Sequence, residues 1–342
     1  MKYITMDAHT ECTEIVVGTD RGRVILRRTV KTGAKALHEI VQKVRGPATI
    51  VVEESTLTGW LRTELAGLVD SFIACDPRHN RLIWAAEDKN DRNDALRLLD
   101  LAVLGRLKAV YHADADRYGL KELVLTYHRT VRDVARYRNR ITAKCRQHGL
   151  GRIPASIYAG PQRKQLLTQF AWADTRRAMR HLLSTFDALA RHRDKLYHAL
   201  VRRGRRIEPV RRFQQLPGVG PVIAVTVFAI IDTPFRFATK KQLWKYAGLA
   251  LREKSSANVT IARGASRQGS RWLKYVIMQA AIEAIQHGKN EFARHAQSMK
   301  CAGVCEGNAR RTVARKMLAT FYGIWKSGEA YQPIEMTVSR NG

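Results

Sequence analysis

The chain has 342 residues, 45% of them hydrophobic, which is length for two or three domains and enough apolar surface to bury sizeable cores. Sixty Lys+Arg against thirty Asp+Glu give a formal charge of +30 and a pI near 10.5, an excess that attracts polyanions, nucleic acid first among them. No apolar run reaches the roughly 18 residues of a membrane span, "MKYITMDAHT" reads as neither signal peptide nor anchor, and five scattered cysteines, an odd number, argue against a disulfide framework. The expectation is a soluble, intracellular protein with no membrane partner and reduced thiols. Cys301 and Cys305 lack the histidine pair that would complete a zinc site.

The first thirty residues alternate as strands do: "YITMD" (3–7), "TEIVVGT" (13–19) and "RVILRRTV" (23–30), with "TDRGR" as a hairpin turn. A helical stretch over 34–45 follows, then the continuous apolar strand "ATIVVEE" (48–54), a helix over 57–69 and the short strand "SFIAC" (71–75). Three antiparallel strands followed by alternating helix and strand form an α/β layer, the order of a ribonuclease-H-like fold. Residues 91–109 read as helix. Residues 117–148 and 162–204 read as long, arginine-rich helices with apolar residues at helical spacing, among them Leu123, Tyr127, Val131 and Val134, then Leu182, Phe186, Leu189 and Leu196. Glycine and proline in "GLGRIPASIYAGP" (149–161) break them apart, which implies a helical hairpin or coiled coil.

Beyond residue 206, "FQQLPGVGPVIAVTVFAII" (213–231) has the form of a helix-hairpin-helix. Gly218 and Gly220 would let the backbone approach a phosphate at a helix start; a plain tight turn between core helices is the alternative. "KKQLWKYAGLA" (240–250), a polar loop over 251–270 and a helical block over 271–327 complete the chain. The expected domains are 1–116, 117–205 and 206–342.

Acidic residues in so basic a chain need an explanation. In "KNDRNDALRLL" (89–99), Asp91 and Asp94 are three apart and share a helix face. They suit a helix N-terminus through the dipole alone. Asp7 ends the first strand and Glu53 and Glu54 end "ATIVVEE", and sites in α/β sheets collect at strand ends. Four gathered carboxylates repel one another and raise each other's pKa values unless divalent cations neutralise them. Mg²⁺ prefers such hard oxygen ligands, and paired ions can hold the attacking and leaving oxygens of a phosphodiester.

With these motifs in order, the chain resembles the insertion-sequence one-ten transposases and the Piv-type invertases. Asp7 in "ITMDAH", "VVEESTLTGW" and "DKNDRNDA" are similar to that family's DEDD tetrad, with Lys89, Asp91, Asp94 and Ala95 matching K-x-D-x-x-D-A. "LPGVG", "YAGLA", a serine and "RGASRQGSRWLK" resemble its second, transposase domain. The resemblance implies a RuvC-like, ribonuclease-H-fold N-terminal domain, a long helical coiled-coil insertion, and a mostly helical C-terminal domain: α/β + α overall. It implies Mg²⁺ held by Asp7, Glu54, Asp91 and Asp94, with Glu53 as the alternative to Glu54. It implies a nucleophilic serine, Ser256 by its distance from Leu249, with Ser255 beside it and Ser266 and Ser270 as runners-up; Ala257 stands where the family commonly has glycine. Lys89, Arg263, Arg267, Arg271 and Lys274 would grip nucleic acid.

The implied partners are donor and target DNA, a noncoding guide RNA and further copies of the chain, as dimer or tetramer, in the bacterial cytoplasm at the nucleoid. Two other classes fit the same residues: a metal-dependent nuclease of Holliday-junction type using water, and a non-enzymatic nucleic-acid-binding protein whose acids are helix caps.

Overall fold

A computed structural model of the chain describes residues 1–77, 94–113, 115–160, 162–256, 259–265 and 269–333. They divide into two compact units, Met1–Tyr118 and Gly119–Gly342.

The first unit is a six-stranded mixed sheet. β1 (Lys2–Ala8), β2 (Cys12–Thr19) and β3 (Val24–Lys31) form an antiparallel meander. β4 (Ala48–Glu53) then runs parallel to β1, β5 (Ser71–Cys75) parallel to β4, and β6 (Ala109–Val110) antiparallel to β5. The spatial order is β3-β2-β1-β4-β5-β6, so the central strands β1 and β4 are flanked on both edges. Alternation assigns their faces. Ile4, Met6, Ile50 and Val52 pack with Leu37 and Leu61 of the helices Ala34–Gln42 and Thr58–Leu65. Val51 and Cys75 face the other way, against Leu98 and Ala102 of the helix Asp94–Val103. Because β4 is covered on both sides, it reads as an unbroken apolar run rather than an alternating one.

The second unit is helical. Two long helices, Ala115–Gln147 and Ala173–Arg205, pack through Val134, Ile141 and Cys145 against Met179, Leu183 and Phe186. Ile157, Leu166 and Phe170, from the short helices and turns between them, complete that core. The arginines lie mostly outside it. Arg163 is an exception: it binds both oxygens of Asp187, Nη2 to Oδ1 at 2.6 Å, a bidentate pair that ties the connecting segment to the second long helix.

Around the helix Pro221–Ile231 the apolar residues no longer form a stripe. Every residue from Ala224 to Ile231 is buried, as a fully enclosed helix requires. The helices Glu208–Phe213, Arg271–Gln286 and Glu306–Ser327 contribute to the same core.

His128 is buried here. Its Nε2 lies 2.9 Å from the Thr226 hydroxyl and its ring stacks on Trp272 at 5.0 Å between centroids. Burial pushes its imidazole down to about 4 from the ordinary 6.5. The unfolded chain therefore takes up a proton at higher pH than the folded chain does. The stability this residue contributes is complete above about pH 6.5 and is lost as pH falls toward about 4, on the order of 3 kcal/mol. Burial and the Lys316 charge lower His295 too, which adds to the same slope. Urea midpoints measured at about pH 7.5 and about pH 5 should fall with acid, and His128→Gln should reduce that fall.

Three sequence expectations change. The helix expected over 91–109 ends at Val103 among the described residues, and β6 follows it. The helix expected over 162–204 is Arg163–Thr168 and then Ala173–Arg205, interrupted where Phe170 turns into the hairpin core. The expected polar loop over 251–270 holds an antiparallel ribbon, β7 (Leu251–Ser256) with β8 (Val259–Ala265). Its many polar residues hid the β pattern. No described helix is long and apolar enough to cross a membrane.

Candidate functional site

The carboxylates of the first unit are set by register. β1 and β4 run side by side, and their last pair is Met6 with Val52. Asp7 and Glu53 each follow that pair by one residue, so they stand next to each other at the carboxyl ends of neighbouring parallel strands. Alternation sends both toward the face carrying Tyr3 and Val51, which the helix Asp94–Val103 covers. The helix is tied to that face by the Thr5 hydroxyl, which donates to the Ala95 carbonyl at 2.6 Å. Asp94 is the residue before Ala95, and Asp7 lies two residues beyond Thr5, about 7 Å along the strand. Asp7, Glu53 and Asp94 thus stand on one side of the sheet at one end of it.

Their partners are basic. Asp7 Oδ2 lies 3.0 Å from His9 Nε2, and Asp94 Oδ1 accepts from Arg97 Nη1 at 3.0 Å. Asp7 is largely buried and Asp94 half exposed. Glu54 is placed differently. Its N–H donates to the Cys75 carbonyl at 2.9 Å, and its carboxylate pairs with the largely buried His112. No three His, Cys, Asp or Glu side chains among the described residues stand close enough together to hold a metal ion. Asp91, the fourth carboxylate of the set, and Lys89 lie outside the described residues. Carboxylates alone would offer only oxygen donors, the chemistry that suits Mg²⁺ rather than a thiolate- or imidazole-seeking metal.

In the second unit the serine segment is the β7–β8 ribbon. Ser255 pairs with Thr260 and Ser256 with Val259, and the register shifts between Lys254 and Ser255. The ribbon's root is a close backbone approach. Gly269 has φ +127°, and a Cβ there would meet Gly248 N at 2.5 Å and Tyr246 O at 2.7 Å. Ser270 N–H donates to that same Tyr246 carbonyl at 2.7 Å. The Ser270 hydroxyl accepts from Leu273 N–H at 3.3 Å, capping the helix Arg271–Gln286. Arg263 lies on β8, opposite Glu253. Arg271 opens the capped helix with an exposed side chain, and Lys274 follows one turn on, half-buried. Arg267 and Ser266 lie outside the described residues.

Gly220 is the exposed N-cap of the buried helix Pro221–Ile231. The glycine requirement at 218 is met inside the fold. Gly218 has φ +76°, and a Cβ there would meet the Ala280 carbonyl oxygen at 2.4 Å and Ala284 N at 2.6 Å. A backbone neighbour cannot swing away as a side chain can, and an L-residue is strained at that φ. Gly218→Ala should cost about 3 kcal/mol, read as a drop in the urea midpoint with unchanged slope.

Two participants were missed in the sequence. His9 had a signal, since it lies two residues beyond Asp7. His112 had none: it is 58 positions from Glu54, and no local pattern links residues that far apart.

The fold and site define an α/β protein with carboxylates at one end of its sheet, joined to a basic helical unit that carries a serine ribbon. Residues 210–297 match the family model described as Transposase IS116/IS110/IS902 family. The chain is also similar to the transposase for insertion sequence element IS1111A of Coxiella burnetii (strain RSA 493 / Nine Mile phase I). They are 23% identical over 322 residues, covering 92% of this chain and 86% of that one. Both likenesses support an insertion-sequence transposase of the IS110 kind, in line with the motifs of the sequence.

Proposed function

We propose that this insertion-sequence transposase is a DNA recombinase in which a serine hydroxyl and a Mg²⁺-holding carboxylate set act on the same phosphodiester. The observation that carries the reading is the shared placement of Asp7, Glu53 and Asp94 at one end of one sheet face. The strand order, with a meander leading into parallel β1, β4 and β5, supports a RuvC-like, ribonuclease-H-type first unit. Asp7, Glu53, Asp94 and Asp91 would hold the metal. Glu53 is preferred to Glu54 because alternation puts it on the face of Asp7, whereas Glu54 is engaged by His112. Mg²⁺ supplies charge neutralisation at the scissile phosphate.

Ser256 attacks that phosphorus. Its oxygen–phosphorus bond forms as the bond to the departing DNA hydroxyl breaks, and the serine proton ends on the departing oxygen. The phosphoserine conserves the phosphodiester energy, so the later strand exchange needs no ATP. Serine and carboxylates come from different copies of the chain, which ties cleavage to assembly. Donor and target DNA and a noncoding guide RNA are the polyanions that the +30 charge holds. Arg263, Arg267, Arg271, Lys274, Lys89 and the backbone at Gly220 contribute phosphate contacts, so binding weakens steeply with salt. The domain reading assigns catalysis to 1–116, the arginine-rich hairpin to 117–205 and the serine ribbon to 206–342.

The test is a covalent protein–DNA adduct. Wild-type protein, the element's end sequence and Mg²⁺ should give a denaturation-resistant species whose protein-side linkage is phosphoserine. Cleavage without any adduct would instead assign water as the nucleophile.

A further inference from the structure

The two long helices do not close on each other along their whole length. Between Val134 and Phe186 at one level and Cys145 and Met179 at another, the seam is filled by core side chains. On one flank of it, Ala143 and Ala178 face a cleft of about 550 Å³. That volume lies in the range of small-ligand sites, roughly 300–1,000 Å³. Large residues at those two positions would fill the space.

The walls are selective in character. Arg140 and Lys144 line one helix, His181 the other, and no carboxylate lines the cleft. Tyr137 forms part of the wall, with the Arg140 guanidinium 4.8 Å from its ring centroid. A planar cation held over an aromatic ring offers a stacking platform, and the flanking charges offer phosphate contacts. A cationic ligand has no complement here. A duplex presents its bases stacked inward and does not fit a pocket of this size, whereas one base splayed out of a strand does.

We infer that this cleft binds an unpaired nucleotide of a single strand, its base against Tyr137 and Arg140 and its phosphate on Lys144 and His181. The inference rests on the nucleic-acid reading above and adds a site on the helical hairpin, apart from the carboxylates and the serine ribbon.

Filling and discharging the cleft separate this from general attraction by a basic surface. Ala178→Phe occupies the space and removes no charge; Arg140→Gln with Lys144→Gln removes charge and leaves the space. The probes are an RNA oligonucleotide of about 12 unpaired nucleotides, its DNA counterpart and a DNA duplex, titrated by fluorescence anisotropy. Ala178→Phe should weaken single-strand binding at least about tenfold and leave duplex binding within about twofold, with circular dichroism unchanged. Tyr137→Ala should do the same without filling the space. The RNA and DNA arms report which strand is the source.

Unchanged single-strand affinity in Ala178→Phe, or equal loss for strand and duplex, overturns the inference. A changed oligomeric state in size-exclusion chromatography, with single-strand affinity unchanged, would make the cleft a contact between copies and overturns it as well. If wild-type protein binds duplex DNA and forms the adduct while these cleft tests fail, only the cleft assignment falls. If wild-type protein binds no nucleic acid, the proposed function falls with it.

Discussion

Neutralising the carboxylates one at a time, as Asp7→Asn, Glu53→Gln and Asp94→Asn, should lower strand cleavage by at least about 10³-fold and leave DNA binding within about twofold. Each replacement keeps the size and shape of the side chain. Asp7 and Glu53 stand side by side because Met6 and Val52 pair in the parallel register. Asp94 is held over the same face through Thr5 and Ala95. If the set holds a divalent cation as proposed, removing one negative charge would weaken that hold and the stabilisation of charge on the phosphate. The phosphate grip by lysine and arginine is untouched, so binding persists. Glu54→Gln is the control. Its carboxylate is paired with His112, so its loss should cost about tenfold or less. Cleavage rates for the four variants, measured at saturating Mg²⁺ and repeated across a Mg²⁺ titration, decide the matter. A loss in Glu54→Gln that exceeds the loss in Glu53→Gln would reverse the assignment.

Ser256→Ala should remove the protein–DNA adduct altogether and leave DNA binding, Mg²⁺ response and thermal stability as in the wild type. Ser255→Ala should keep the adduct. The two serines are neighbours on β7, where Ser255 pairs with Thr260 and Ser256 with Val259. The register shift between Lys254 and Ser255 breaks the regular ladder beside both serines. Mass spectrometry of the protease-digested adduct reads the modified residue directly. An adduct on Ser255, or one that survives both substitutions, would overturn the role of Ser256. Loss of cleavage in Ser256→Ala together with loss of duplex binding would mark the serine as a DNA contact rather than a nucleophile.

Much of this architecture could be read from local pattern. The alternation of "YITMD" and "TEIVVGT" identified β1 and β2, and the apolar run "ATIVVEE" identified β4 as a strand buried on both sides. The stripe that includes Leu182, Phe186 and Leu189 marked the inner side of the long hairpin. The likeness to insertion-sequence transposases was legible because the motifs fall in order along the chain. The serine ribbon was not legible. "LREKSSANVTIARGA" is too polar to alternate visibly, and the backbone approach of Gly269 to Gly248 at its root joins residues 21 apart in the chain.

The sequence alone determined the classes of element, the basic charge and the carboxylates available for chemistry, because residue type and spacing of two or 3.6 are local quantities. The tertiary structure alone decided which glutamate stands beside Asp7, which histidine engages Glu54, and what lies against Gly218. Each of those is a meeting of residues distant in the chain. It is set by strand register and helix packing, and no short stretch of sequence contains it.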